Sequence, residues 1–317
     1  MAKYAFLFPG QGAQAPGMMK DVCDAYPECK KVLDDVSAIW GKDVAKLMWE
    51  ADAAELSRSD NSQMAITAAS IATVKALEAK GITPDAVMGF SLGEFPALYA
   101  AGVLSFEDVI KVVAKRGAIM QKVCEQIAAE NEGHAPGMSA VIGLGPDQVK
   151  EIASKCENVY AANMNSPVQT VLSGTFDGLT QAEALCKEAG ARRALRLAVA
   201  GPFHSPLMQR AADEFEKAIA DVTFNDPKIA LFSNVTGKQA TSGAEIKKNA
   251  VLHLIQSVLW TDEEKVLLDM IKASGEEWKL YEPGPGKVLS GLWAKCGLEI
   301  GELACSEINT AEALNNL

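Results

Sequence analysis

Asp85-Ala86-Val87-Met88-Gly89-Phe90-Ser91-Leu92-Gly93-Glu94-Phe95-Pro96-Ala97-Leu98-Tyr99-Ala100-Ala101-Gly102 is the stretch on which the fold turns. Its apolar start, Ala86-Val87-Met88, predicts a buried strand, and Leu92 to Ala101 predicts a helix. Between them Gly89-Phe90-Ser91-Leu92-Gly93 makes a tight turn. A strand that runs straight into a helix brings backbones too close for side chains, which is why glycines flank the serine. Gly-x-Ser-x-Gly between a strand and a helix is the setting of a nucleophile elbow. Ser91 then projects from the tip, and the Leu92 N–H at the helix start faces any oxyanion formed there. The five-residue pattern alone also arises by chance, so the elbow has to be judged by the partners that the rest of the chain offers it.

The chain has 317 residues, 49% hydrophobic and 22% charged, enough for one large globular domain or a large one carrying a smaller one. No apolar run is long enough to span a bilayer. The short apolar stretch Tyr4 to Phe8 is broken by Pro9 and reads as a first buried strand, not as a signal peptide, so a cytoplasmic protein with no membrane partner is expected. Seven scattered cysteines without a Cys-x-x-Cys pair fit reduced thiols and argue against a disulfide framework or a metal site. A net charge of −11 disfavours nucleic acid as a partner. Only three histidines, His134, His204 and His253, are available as a general base.

After the first strand, Pro9-Gly10-Gln11-Gly12-Ala13-Gln14 is a glycine-bearing loop. It satisfies neither the P-loop nor the dinucleotide pattern. Lipase-like folds complete the oxyanion hole with an amide from an early strand-to-helix loop, and Gln11 suits that role; an ordinary turn is the alternative. Residues 21 to 80 read as helical, ending in an alanine-rich helix from Ser62 to Lys80. Ser105 to Gln126 is a further helix, started by a Ser-x-x-Asp cap, with Val109, Val112, Val113, Ile119, Met120 and Val123 on one face. Arg116 falls within that apolar stripe. A buried guanidinium needs an anionic partner: an internal carboxylate such as Glu94, or a substrate carboxylate that its planar fork can grip. Both readings fit the residues.

The polar stretch from Glu125 to Gly137, which contains His134, marks a domain crossing. Beyond it the order is strand (Met138–Leu144), helix (Pro146–Cys156), strand (Val159–Ala162), a turn at Asn163-Met164-Asn165-Ser166-Pro167, strand (Gln169–Ser173), helix (Phe176–Ala189) and strand (Arg192–Val199). This is βαββαβ, a ferredoxin-like split inserted into a larger layer. Gly201-Pro202-Phe203-His204-Ser205-Pro206 then leads into a helix from Leu207 to Asp221, with Ser205 as its cap. The positive end of that helix disfavours imidazolium and would keep His204 neutral. A histidine beside a cap is commonly a packing residue; the order serine, then histidine, makes it a base for Ser91. No acidic residue announces itself as a third member, so a neutral acceptor is expected to orient the ring. A strand over Lys228–Asn234, helices over Gly243–Val258 and Asp262–Ala273, a strand over Trp278–Glu282 and a closing helix after Pro283-Gly284-Pro285-Gly286-Lys287 complete the chain.

Six stretches in one order, Phe8 to Gly12, Gly89 to Glu94, Arg116-Gly117 with Met120-Gln121, Asn163 to Pro167, Gly201 to Met208 and Pro283 to Leu289, resemble the malonyl-CoA:acyl-carrier-protein transacylase family from end to end. The resemblance implies an α/β, hydrolase-like core with a parallel sheet (residues 1–126 and 202–317) and an inserted ferredoxin-like subdomain (127–201). It implies Ser91 as nucleophile, His204 as base, and oxyanion N–H groups from Gln11 and Leu92. It places Arg116 on the free carboxylate of malonate, with Phe203 and Asn165 beside the substrate and Arg193, next to Arg192, toward CoA and the carrier protein. No cofactor is implied: malonyl-CoA is the substrate, and the phosphopantetheine thiol belongs to the acyl carrier protein. Two positions depart from the family. Phe90 stands where His or Tyr usually precedes the nucleophile, and His253 stands where Gln or Asn is usual and where a main-chain carbonyl orients the imidazole. A serine esterase or thioesterase would share Ser91, His204 and the hole; a non-catalytic docking subunit would leave the pair inert.

Overall fold

The computed structural model describes residues 2–317, and the chain builds two sheets. β1 (Lys3–Phe8) has its last four residues buried and β2 (Ala86–Gly89) is buried throughout, as befits strands covered on both faces. Side chains alternate between the two cores: Phe6, Phe8 and Val87 enter one, whereas Ala5, Leu7 and Met88 enter the other. Between the strands run α1 (Lys20–Ala25), α2 (Pro27–Trp40), α3 (Val44–Glu50), α4 (Ala53–Ser57) and α5 (Ser59–Ala79). α5 is buried on nearly every side, its Ser62, Thr67, Ser70 and Thr73 included, because short side chains let its neighbours approach closely.

β2 leads through a 3-10 turn (Ser91–Gly93) into α6 (Glu94–Ala100), and α7 (Phe106–Glu130) follows. The Ser105 hydroxyl caps α7 by accepting the Asp108 N–H at 3.0 Å, and the helix continues past Gln126 to Glu130. Then come β3 (Gly137–Ile142), α8 (Pro146–Ser154), β4 (Val159–Ser166), β5 (Gln169–Gly174), α9 (Phe176–Glu188) and β6 (Arg193–Arg196). They form a four-stranded antiparallel sheet in the order β4-β5-β3-β6, with its own core around Val141, Leu172, Leu179 and Cys186.

Asn163 to Ser166, expected as part of a turn, belong to β4, whose pairing with β5 slips between Ala161 and Asn163 and again between Met164 and Ser166. Such bulges re-aim side chains without ending the strand. The strand expected over Arg192–Val199 stops at Arg196; the Leu197 N–H still donates to the Met138 carbonyl of β3 at 2.9 Å, and Ala198 to Ala200 continue outside the strand.

The chain returns to the first layer with α10 (Gln209–Ala218), β7 (Ala230–Ser233), β8 (Lys238–Ala240), α11 (Gly243–Leu252), α12 (Trp260–Ser274), β9 (Trp278–Pro283), α13 (Val288–Trp293), β10 (Cys305–Ile308) and α14 (Ala311–Asn315). The large sheet is ordered β10-β9-β1-β2-β7-β8. Its neighbours pair in parallel except β7 with β8, so the sheet is mixed, not purely parallel. The loop after β1, the turn after β2 and Asn234 after β7 meet at the carboxyl ends of adjacent parallel strands, where α/β sheets place their sites. No helix among the described residues is long and apolar enough to cross a membrane.

Candidate active site

The turn after β2 exists because of glycine. A Cβ on Gly93 would lie 2.0 Å from the Phe8 carbonyl oxygen, and one on Gly89 would lie 2.0 Å from that of Gly93. Gly10 is held the same way: a Cβ there would meet the Phe90 carbonyl at 2.3 Å, so the loop after β1 lies directly against the elbow. Ser91 itself sits at φ 52°, a left-handed conformation uncommon for a residue with a side chain. Asn234 clamps it there. Its Oδ1 accepts the Ser91 N–H at 2.7 Å, while its Nδ2 donates to the Gly89 carbonyl at 2.7 Å and to Glu263 Oε1 at 2.8 Å. Asn234 is fully buried and was passed over in the sequence as the last residue of a strand; a polar residue closing an apolar strand at the carboxyl edge is the signal that could have found it.

His204 comes to Ser91 from the segment that follows the small sheet. Its Nε2 lies 2.8 Å from Ser91 Oγ and its Nδ1 2.7 Å from the His253 carbonyl oxygen. A carbonyl only accepts, so the ring proton sits on Nδ1 and Nε2 is left bare to take the serine proton. The neutral acceptor expected behind the imidazole is therefore a main-chain oxygen. The expected source of the base's neutrality needs correcting. Pro206–Met208 is a 3-10 turn and α10 begins only at Gln209; the Ser205 hydroxyl donates to the Pro202 carbonyl at 2.7 Å and caps no helix. His204 is held neutral chiefly by burial, with the Arg116 charge adding to it, and together they push its pKa down to about 4. Like Ser91 it is left-handed, at φ 57°.

Ser91 and His204 open onto a cavity of about 230 Å³ also lined by Gln11, Arg116, Phe203 and Asn165. Phe90 forms part of the wall and stands edge-on to Trp260, ring centres 5.3 Å apart. The opposite side is made by the small sheet and the Leu197–Ala200 segment, so the cavity lies between the two layers. Leu92 is the residue after Ser91 in the 3-10 turn. Among the described residues neither the Gln11 nor the Leu92 N–H is hydrogen-bonded to protein; Gln11 lines the cavity and Leu92 directly follows Ser91.

Arg116 is buried in the wall, its guanidinium 5.2 Å from the Phe95 ring centre. Only Nη1 is satisfied, by Gln63 Oε1 at 2.7 Å; Nε and Nη2 have no partner. Burial lowers its pKa to about 10, which leaves it charged at neutral pH. The two readings of Arg116 separate at this point. Among the described residues no carboxylate stands within salt-bridge distance of it, and Glu94 approaches His253 instead. A cation with unused donors in a dry wall is suited to a carboxylate on the ligand. Arg193 is exposed on β6 and His134 is exposed beyond α7; neither lines the cavity.

The arrangement holds a serine paired with a neutral imidazole and an unpaired cation in one cavity, with unbonded backbone N–H groups at Gln11 in its lining and at Leu92 next to Ser91, parts suited to acyl transfer through a serine ester. Comparison with known proteins agrees. Residues 5–274 match the acyl transferase domain family. The malonyl CoA-acyl carrier protein transacylase of Bacillus subtilis (strain 168) is 38% identical over 98% of this chain and 96% of its own. The crystal structure of an acyl carrier protein S-malonyltransferase from Vibrio cholerae superposes with a TM-score of 0.89 at 35% identity, covering 99% of both chains. A malonyl-transacylase solved in complex with a type II PKS acyl-carrier protein also gives 0.89, at 32% identity over 99% of this chain and 98% of that one. The chain belongs to the acyl transferase domain family and, within it, to the malonyl CoA-acyl carrier protein transacylases.

Proposed function

We propose that this enzyme moves a malonyl group from malonyl-CoA to the phosphopantetheine thiol of an acyl carrier protein, for fatty-acid biosynthesis, through an ester on Ser91. His204 Nε2 takes the Ser91 hydroxyl proton as Oγ attacks the thioester carbonyl. The oxyanion forms against the Gln11 and Leu92 N–H groups. The tetrahedral intermediate collapses, the C–S bond breaks, and the CoA sulfur leaves with the proton from His204. In the second half His204 deprotonates the carrier-protein thiol, which attacks the ester, and Ser91 recovers its proton. Arg116 holds the free carboxylate throughout, with Asn165 and Phe203 bounding the acyl group, and Arg193 offers a positive contact outside the cavity for CoA or the carrier protein.

The observation that carries this reading is Arg116: a buried cation with two unpaired donors, in the same cavity as the 2.8 Å Ser91–His204 pair. A neutral-ester hydrolase has no use for it. The architecture that accompanies the reading is a hydrolase-like layer, residues 1–126 and 202–317, roofed by a ferredoxin-like insertion over 127–201, which the β4-β5-β3-β6 order supports. Intact-mass measurement after exposure to malonyl-CoA tests the function. The protein should gain one malonyl group, Ser91→Ala should gain none, and added carrier protein should remove it. A malonylated Ser91→Ala, or rapid release of free malonate without carrier protein, would sink the assignment.

A further inference from the structure

Behind His204 lies a second pair of buried groups that the acyl-transfer steps do not use. His253 caps the end of α11, its N–H donating to the Asn249 carbonyl at 2.8 Å, and its own carbonyl is the acceptor for His204 Nδ1–H. Its side chain is fully buried, the ring centre 5.0 Å from that of His204 and tilted by 38°. His253 Nδ1 stands 3.1 Å from Glu94 Oε2, although the two are not aligned as a hydrogen bond, and Nδ1, Nε2 and that oxygen have no other partner. Glu94 is the first residue of α6, three positions after Ser91. The contact thus joins the helix that follows the nucleophile to the residue whose carbonyl aims the base.

The charges around this contact are few. Arg116 faces it from α7, Glu263 from α12, and His204 from its own turn. Burial pushes the Glu94 carboxyl up to about 8 against the opposing pull of Arg116, and burial holds His253 well below the usual imidazole range. A neutral acid beside a neutral ring suits this dry position better than a salt bridge, because no charge has to be desolvated. An orienting carbonyl is only as well placed as the residue that carries it, and small misplacements of a base cost rate steeply.

We propose that Glu94 and His253 form a strut that positions the catalytic base: the Glu94 carboxyl fixes the His253 ring, and the His253 carbonyl thereby fixes the orientation and tautomer of His204. This rests on the Ser91–His204 reading given above. Neither residue touches the substrate; both act through His204.

The test is a double-mutant cycle with Glu94→Ala and His253→Leu, alongside Glu94→Gln, whose amide keeps a polar group of the same size against the ring. The readouts are kcat and KM for malonyl transfer and the downfield proton resonance of the His204 Nδ1–H. Each single variant should lose about tenfold or more in kcat with KM moved by less than about threefold. The double variant should lose no more than either single, the signature of residues acting as a unit. Glu94→Gln should keep kcat within about threefold and keep the downfield proton, whereas Glu94→Ala should lose or shift it. Independent, multiplying losses, or an unmoved proton and kcat in Glu94→Ala, overturn the strut. Should Glu94→Ala fail to fold, Glu94→Gln and His253→Leu decide it, since each preserves the packing volume: loss in His253→Leu with retention in Glu94→Gln supports the strut, and equal retention in both overturns it. Malonylation of Ser91 in the unmodified protein, run in parallel, separates the two readings: if it occurs and the variants are unaffected, only the strut fails.

Discussion

The two sheets use the same residue types to opposite ends. On the small sheet Arg196 pairs with Glu183 at 2.9 Å where water reaches both, and the exposed His134 lies flat on Phe176 with ring centres 4.7 Å apart. On the large sheet's side Arg116 and His204 are buried, one short of partners and the other held neutral. Arginine and histidine become reactive here through exclusion of water. In water each finds a partner or a solvation shell at little cost; in the wall of the cavity each retains an unspent interaction that a ligand can complete.

The comparison breaks most visibly at the backbone. Gly93→Ala would drive a Cβ to 2.0 Å from the Phe8 carbonyl, whereas a Cβ on Gly137 of β3 meets nothing within 4 Å. The first substitution should cost about 3–5 kcal/mol or prevent folding, and the second should stay within about 1 kcal/mol, as read by denaturant or thermal unfolding. Similar stabilities for the two would mean that the elbow is not held by close backbone contact. Next in size is the arginine pair. Arg116→Ala should lower kcat/KM for malonyl-CoA by about 100-fold and raise acetyl-CoA in relative terms, while Arg196→Ala should leave transfer within about twofold. Malonyl transfer lost without relative gain on acetyl-CoA would make Arg116 a structural residue.

The smallest effect concerns protons. With its folded pKa pushed down to about 4, His204 is already a free base at neutral pH, so the acid limb of kcat/KM should fall near pH 4 and the profile should be flat above it. An acid limb at the ordinary histidine value, about 6.5, would show that water reaches the ring. The linked stability has a definite sign. The unfolded chain takes up this proton before the folded one does, so the contribution is complete above about 6.5 and is lost as pH falls from there toward 4.

What could be read from the residues alone follows from what each signal depends on. β1, β2 and α7 were legible because burial on one or both faces writes a continuous or helical apolar pattern, and the elbow because two glycines have a steric reason to stand there. β8 (Lys-Gln-Ala) and β10 (Cys-Ser-Glu-Ile) were not legible, since short edge strands carry little apolar content. Asn163 to Ser166 looked like a turn because Asn, Ser and Pro favour turns; the bulged β4 uses the same residues to aim Asn165 at the cavity. Of the site, Ser91, His204, Arg116 and Gln11 were found in sequence and share one cavity. The Asn234 clamp and the contact of Glu94 with His253 were not found, because each joins segments far apart in the chain and leaves no local pattern.

Ser91 and His204 also share their backbone: both are non-glycine residues at positive φ. Each such residue is held at a penalty of about 1–2 kcal/mol that glycine would not incur. The most comfortable occupant of either position is therefore the one amino acid with no chemistry to offer. Selection for thermal robustness alone would drift toward glycine at both and silence the enzyme, so a stabilised yet active descendant has to find its gains elsewhere in the chain.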